Sequence, residues 1–129
     1  MTELTFKIEL VPMAVSDVDR AVAFYGSTLG WPVDFDQVVS GGLRFVQVTP
    51  PGSACSICFG HGAAMEAMMP TGSSQMIQVV VPDADAARQH LVDRDVACSE
   101  VDEQPWGRFV SFEDPDGNRW VLQQLPQRS

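Results

Sequence analysis

Val15-Ser16-Asp17-Val18-Asp19-Arg20-Ala21 returns 66 residues later as Val81-Pro82-Asp83-Ala84-Asp85-Ala86-Ala87, both copies reading V-x-D-x-D-x-A. The offset is about half of the 129-residue chain. In each copy a strand-like segment precedes the motif and a helical segment follows it. A self-similar unit of this length is one supersecondary module, and a module that cannot bury its apolar face alone pairs with another. Two such modules face to face predict a cleft, and that is where a functional site is expected.

Working outward, residues 6–11 alternate Phe6, Ile8 and Leu10 with Lys7, Glu9 and Val11, as a first strand would. Ser16 or Asp17 can cap a helix whose apolar positions Val18, Ala21, Val22, Tyr25 and Leu29 fall near helical spacing. Gly30 closes it as a C-terminal glycine. Residues 31–35 and 43–48 read as strands around Ser40-Gly41-Gly42, and residues 55–59 as a fourth. The second half repeats the order: strand 75–81, helix 83–94, a short strand 96–99, and a hairpin of 109–112 and 119–122 across residues 113–118. The prediction is one domain over residues 1–129, with modules at about 5–60 and 75–124 joined by linker 61–74. Met65, Met68 and Met69 in that linker read as the apolar face of a short helix rather than as adaptable contacts.

Apolar residues make up 45% of the chain and charged ones 19%, an ordinary globular mixture. The net charge is −9, with only eight Lys and Arg residues, which argues against nucleic acid and against an anionic membrane surface. No apolar run is long enough to span a bilayer, and Met1-Thr2-Glu3-Leu4 carries no basic start of a signal peptide. Three cysteines, an odd number, favour a reducing compartment, so the expected location is cytoplasmic. Cys55-Ser56-Ile57-Cys58 has metal-like spacing, but residues three apart on a strand point to opposite faces and the two sulfurs diverge.

The run from Val15 to Tyr25, followed by Leu29-Gly30, resembles the first-module signature of the vicinal oxygen chelate superfamily. That superfamily includes glyoxalase I, bleomycin-resistance proteins and extradiol dioxygenases. Phe112-Glu113-Asp114-Pro115-Asp116-Gly117-Asn118, followed by Arg119-Trp120-Val121, is similar to its closing hairpin. The resemblance implies an α+β fold of two tandem βαβββ modules forming an incomplete barrel around a cleft. It also implies a homodimer. In metal-dependent members four ligands sit on the cleft strands, two per module. The matching positions here are Leu10, Met76 and Val121, with the fourth near Ser56 or Cys58. Leu, Met and Val offer neither imidazole nor carboxylate oxygen, so the expectation is no metal and no other cofactor.

For the cleft, pairing Glu113 with Asn118 predicts Phe112 opposite Arg119, Val110 opposite Val121 and Arg108 opposite Gln123. Period-two alternation then puts all six on one face. With Leu10, Met76 and Gln78, and with Trp106 at the rim, they form the predicted ligand-binding set: an apolar surface with sparse polar anchors. Trp31 is a second candidate wall. Asp34 and Asp36 flank Phe35 and are expected on one solvated face. His61, in Gly60-His61-Gly62, is a weak candidate for a general base, and His90 is expected to pack on the sheet. The leading expectation is a metal-independent, glyoxalase-like protein that binds a small amphipathic organic molecule, with drug sequestration as one version. The alternative is a lyase, isomerase or dioxygenase-type enzyme of the same superfamily. A metal site built from His61 with Glu9 or Glu113 is disfavoured, because Glu9 points away from the cleft by strand parity.

Overall fold

In a computed structural model the described residues are 4–126. The first sheet has the order β1-β4-β3-β2, from β1 (Leu10–Pro12), β2 (Val33–Val39), β3 (Leu43–Val48) and β4 (Ser56–His61). The second repeats it as β5-β8-β7-β6, from β5 (Met76–Val80), β6 (Asp102–Gln104), β7 (Gly107–Glu113) and β8 (Arg119–Gln124). In each, the first strand pairs in parallel with the fourth and the other pairs are antiparallel. Helices α1 (Val18–Val22) and α3 (Ala84–Asp93) follow β1 and β5, and α2 (Ala63–Met68) joins the modules. The fold is therefore α+β with tandem βαβββ modules, and neither sheet closes on itself.

The repeated motif works as a pair of helix starts. Asp17 accepts the Arg20 amide at 3.0 Å, and Asp83 accepts the Ala86 amide at 3.1 Å. Each carboxylate thus satisfies an amide that lacks an intrahelical partner. Beyond α1 the chain widens into a π-helical turn over Ala23–Thr28, where the Leu29 amide donates to the Phe24 carbonyl at 2.9 Å. Gly30, with φ +78°, ends the turn, and Trp31 donates back to the Tyr25 carbonyl. Tyr25 and Leu29 are both buried by this path.

The core lies between one face of each sheet. Val46, Val48, Ile57 and Phe59 come from the first, and Val110, Phe112, Trp120 and Leu122 from the second. Tyr25 sits between them, with its ring centroid 5.8 Å from Phe59 and 6.0 Å from Trp120. Its hydroxyl donates to Asp114 Oδ2 at 2.7 Å and accepts from Trp120 Nε1 at 3.1 Å. Burial, reinforced by the Asp114 carboxylate, pushes the phenol far above its ordinary pKa, so it stays a donor. Asp114 also accepts Asn118 Nδ2 and the Asp116 and Asn118 amides. Asn118 reaches the Ala14 carbonyl, and Asp116 accepts from Ser16 and Arg20. The β7–β8 turn is thereby tied to α1 and to the segment before it.

Several boundaries differ from the sequence expectations. The first strand spans only Leu10–Pro12, and Phe6 and Ile8 are exposed outside it. The second begins at Val33 rather than Trp31 and runs on to Val39. Residues 96–99 form an isolated bridge, Cys98 to Phe112, and the strand beside β7 is Asp102–Gln104. The linker carries α2, with Met65 buried and Met68 exposed.

The largest difference is the hairpin register: Glu113 pairs with Arg119, Phe112 with Trp120, Ser111 with Val121 and Arg108 with Gln124. The Asp114 amide donates to the Asn118 carbonyl, which leaves Pro115, Asp116 and Gly117 as a three-residue loop, with Gly117 at φ +83°. A left-handed residue closing a three-residue hairpin loop shifts the pairing by one, and one residue exchanges the faces of a strand.

Candidate functional site

Each sheet turns its second face away from the core. On the second sheet that outer face carries Met76, Gln78 and Val80 from β5, Arg119, Val121 and Gln123 from β8, and Phe109 and Ser111 from β7. The alternation along β5 is direct, since Met76 and Val80 are 60% and 62% exposed while Ile77 and Val79 pack against the core. Gln78 donates to Gln123 Oε1 at 2.7 Å, and Gln123 donates in turn to the Trp106 carbonyl at 3.1 Å. Arg119 is exposed and makes no ion pair among the described residues. The surface is thus an apolar floor with a fixed amide pair and one free guanidinium.

The corresponding face of the first sheet carries Leu10, Ser56, Cys58, Phe45 and Phe35, the two rings meeting edge-on at 5.9 Å. Thr49 lies within 2.7 Å of Ser56 Oγ and donates to Asp34. Asp34 and Asp36 do not share a face, because the β2–β3 pairing shifts between Val33 and Phe35. That bulge leaves Asp36 on the side of Arg44, whose guanidinium donates to both of its oxygens at 3.0 Å. These bonds hold the Asp36 carboxyl below the usual range and push the Arg44 pKa further up, Arg44 also donating to Asp19.

Of the predicted ligand set, Leu10, Met76, Gln78, Arg119, Val121 and Gln123 do lie on outer faces, and Trp106 is exposed beside Gln123. Arg108, Val110 and Phe112 lie on the other face, as a correction to the predicted register. Val110 and Phe112 are core. Arg108 donates to both Asp85 oxygens at 2.8 and 3.3 Å and lies 3.3 Å from Glu103, tying β7 to the start of α3. Phe109 and Ser111 take the places that reasoning gave to their neighbours, and the αL glycine at 117 is the signal that would have found them. His61 ends β4 opposite Arg44, in strand phase with the core residues Ile57 and Phe59. His90 is exposed, with Nε2 at 3.2 Å from the Leu29 carbonyl. Trp31 is half-buried and packs edge-on to Trp120 at 5.0 Å.

The pairings also fix the fourth metal-ligand position. Leu10 faces Ser56 and Pro12 faces Cys58, while Met76 faces Arg119 and Gln78 faces Val121. Cys58 is therefore the first-module equivalent of Val121. The four positions hold Leu, Cys, Met and Val, and burial pushes the Cys58 thiol up, away from thiolate. That donor set does not fit a divalent cation that wants imidazole and carboxylate. Among the described residues no three His, Cys, Asp or Glu side chains converge elsewhere.

Residues 7–122 match the Glyoxalase/Bleomycin resistance protein/Dioxygenase superfamily. Among solved structures, TnmS3, an antibiotic binding protein from Streptomyces sp. CB03234, is 33% identical with a TM-score of 0.80, over 97% of this chain and all of that one. A glyoxalase/bleomycin resistance protein from the same Streptomyces strain is 35% identical with a TM-score of 0.76, over 92% of this chain and all of its own. YetH, an uncharacterised protein of Bacillus subtilis (strain 168), is 25% identical over 92% of this chain and 98% of its own. Among the described residues no helix is long and apolar enough to cross a membrane.

Proposed function

Since the chain belongs to the glyoxalase/bleomycin resistance protein/dioxygenase superfamily, we propose that it is a metal-independent binding protein for a small amphipathic organic molecule, acting by sequestration. The observation that carries this reading is the outer face of the second sheet. Met76, Val80, Val121 and Phe109 offer the body of a ligand an apolar floor, and the Gln78–Gln123 pair and Arg119 offer polar anchors. A concave, largely apolar surface with few fixed polar groups is the usual make-up of a small-molecule site. The antibiotic binding described for TnmS3 supports the same class of ligand.

The exposed apolar side chains on both outer faces support a homodimer in which a partner's sheet completes the site, since patches of this kind mark interaction surfaces. The odd cysteine count supports a cytoplasmic location and the net charge of −9 argues against a nucleic-acid partner. Arg119 would hold an acidic or carbonyl oxygen of the ligand.

The test is equilibrium dialysis of protein incubated with Ni(II), Zn(II), Mn(II) and Fe(II) and then desalted, against a panel of aromatic antibiotics. We expect no retained metal by elemental mass spectrometry, binding of at least one compound, and weakening by about tenfold in Arg119→Ala, the loss of one charge-assisted hydrogen bond. Stoichiometric metal, or turnover of a bound compound, would replace this reading with the enzymatic one.

A further inference from the structure

The two modules are built alike but closed differently. In the topology, the β7–β8 turn beside α1 corresponds to the β3–β4 connection beside α3. The first is tied down by Tyr25, Ser16 and Arg20 through Asp114 and Asp116. The repeat offset puts Leu91, Pro82 and Ala86 at the equivalent positions of the second half, and none of these side chains can make such a bond. The β3–β4 connection is correspondingly free of α3. Among the described residues its hydrogen bonds are with itself and the first sheet, such as Ser53 to the Pro50 carbonyl and Thr49 to the Pro32 carbonyl. Between it and α3 lies a slot of about 770 Å³, bordered by all three of those replacement residues.

We propose that this slot, which lies between α3 and the β3–β4 connection and meets the outer sheet faces at Ser56, Gln78 and Val80, is a second ligand site, and that it takes a hydrophobic amine. Its volume is that of a drug-sized pocket. Trp31, Trp120, Phe112 and Ile57 supply aromatic and aliphatic walls, reached from the core side. Asp83 and His90 line the slot, and among the described residues neither Lys nor Arg does, so the one formal charge on its rim with His90 neutral is the Asp83 carboxylate. Among the described residues the only arginine tied to the start of α3 is Arg108, and it is held by Asp85 and Glu103. A helix N-terminus ordinarily invites an anion, but here the Ala84 amide donates to Gln124 Oε1 and the Ala86 amide to Asp83. What remains facing a ligand is the carboxylate, and the net charge of −9 draws cations toward it.

A matched pair of fluorescent probes tests this, 9-aminoacridine as the cation and acridine-9-carboxylic acid as the anion, titrated by anisotropy at pH 7. The amine should bind with a Kd on the order of 10 µM, and the acid more weakly by about tenfold or more. Ala87→Phe fills the slot from α3 and should abolish amine binding, whereas Arg119→Ala and Val121→Ala on the outer face should leave it unchanged. Asp83→Asn keeps the helix cap and removes the charge, so it should weaken the amine by about three- to tenfold and leave neutral acridine unaffected. It decides the matter if the Phe variant does not fold. Equal binding of acid and amine, no binding of either, or loss in Arg119→Ala with retention in Ala87→Phe would each overturn the proposal. The last pattern would leave the outer-face reading standing.

Discussion

Tyr25→Phe removes one oxygen from the point where the π-helical turn after α1, β8 and the β7–β8 turn meet. The phenol is fully buried, donates to Asp114 at 2.7 Å and accepts from Trp120 Nε1 at 3.1 Å. Losing the bond to a charged acceptor costs about 1.5–3 kcal/mol, and leaving the buried indole N–H unpaired costs about 1–3 kcal/mol more. Asp114 keeps Asn118 Nδ2 at 2.8 Å and two backbone amides, so the carboxylate itself is not stranded. The ring and its packing remain, so no cavity contribution is added. The two contributions together give an expected loss of about 2.5–6 kcal/mol, the size that broken buried networks produce. Urea denaturation followed by tryptophan fluorescence measures it, with an unchanged m-value as the check that only stability moved. Trp120→Phe in the same background should show strong non-additivity, because the two residues share one bond. A loss below about 0.5 kcal/mol, or full additivity in the double variant, would refute the view that this chain of bonds clamps the turn to the helix.

Three further outcomes follow from the geometry. Gly60→Ala would put a Cβ 2.0 Å from the Arg44 carbonyl oxygen, which is backbone and cannot yield, so thermal denaturation should show a loss of at least about 3 kcal/mol. Arg108→Ala should lower the melting temperature by freeing α3 from β7, and should leave ligand binding at Arg119 intact in the dialysis assay. The Asp36 carboxyl is held low by Arg44, so its folded pKa lies below its unfolded value. The stabilisation is complete above about pH 4 and is lost as the pH falls through the folded pKa. Denaturation between pH 5 and pH 3 should therefore be less pH-sensitive in Arg44→Gln, by under about 1 kcal/mol, because the pair is partly exposed.

The repeat marked the two modules, because the Asp at each helix start is a local signal and capping depends on only three following residues; strand alternation and turn signals supplied the elements, and the family resemblance supplied their assembly. Tyr25 and Leu29 were readable as core from helical spacing. The π-helical turn between them was not, since nothing in Ala23-Phe24-Tyr25-Gly26-Ser27-Thr28 prescribes an extra residue per turn. The outer-face residues on β1, β5 and β8 were legible from strand parity and the family pattern. Arg108, Val110 and Phe112 were misplaced because register depends on loop length, and Asp-Pro-Asp-Gly permits a loop of either four residues or three. One glycine at positive φ settled which. The opposite faces of Asp34 and Asp36 depend on a bulge, and a bulge is a property of the pair of strands rather than of either sequence. The slot beside α3 arises from what the second copy of the repeat lacks, which is visible only when the two copies are superposed in space.

The parallel pairing of first and fourth strands has a consequence for the order of assembly. Met76 meets Arg119 and Leu10 meets Ser56 only after the whole of each module has been laid down between them. The β2–β3–β4 and β6–β7–β8 hairpins close short loops and can form at once, whereas β1 and β5 must wait for a long one. Loop-closure entropy therefore predicts that each module zips from its C-terminal hairpin, with β1 and β5 docking last.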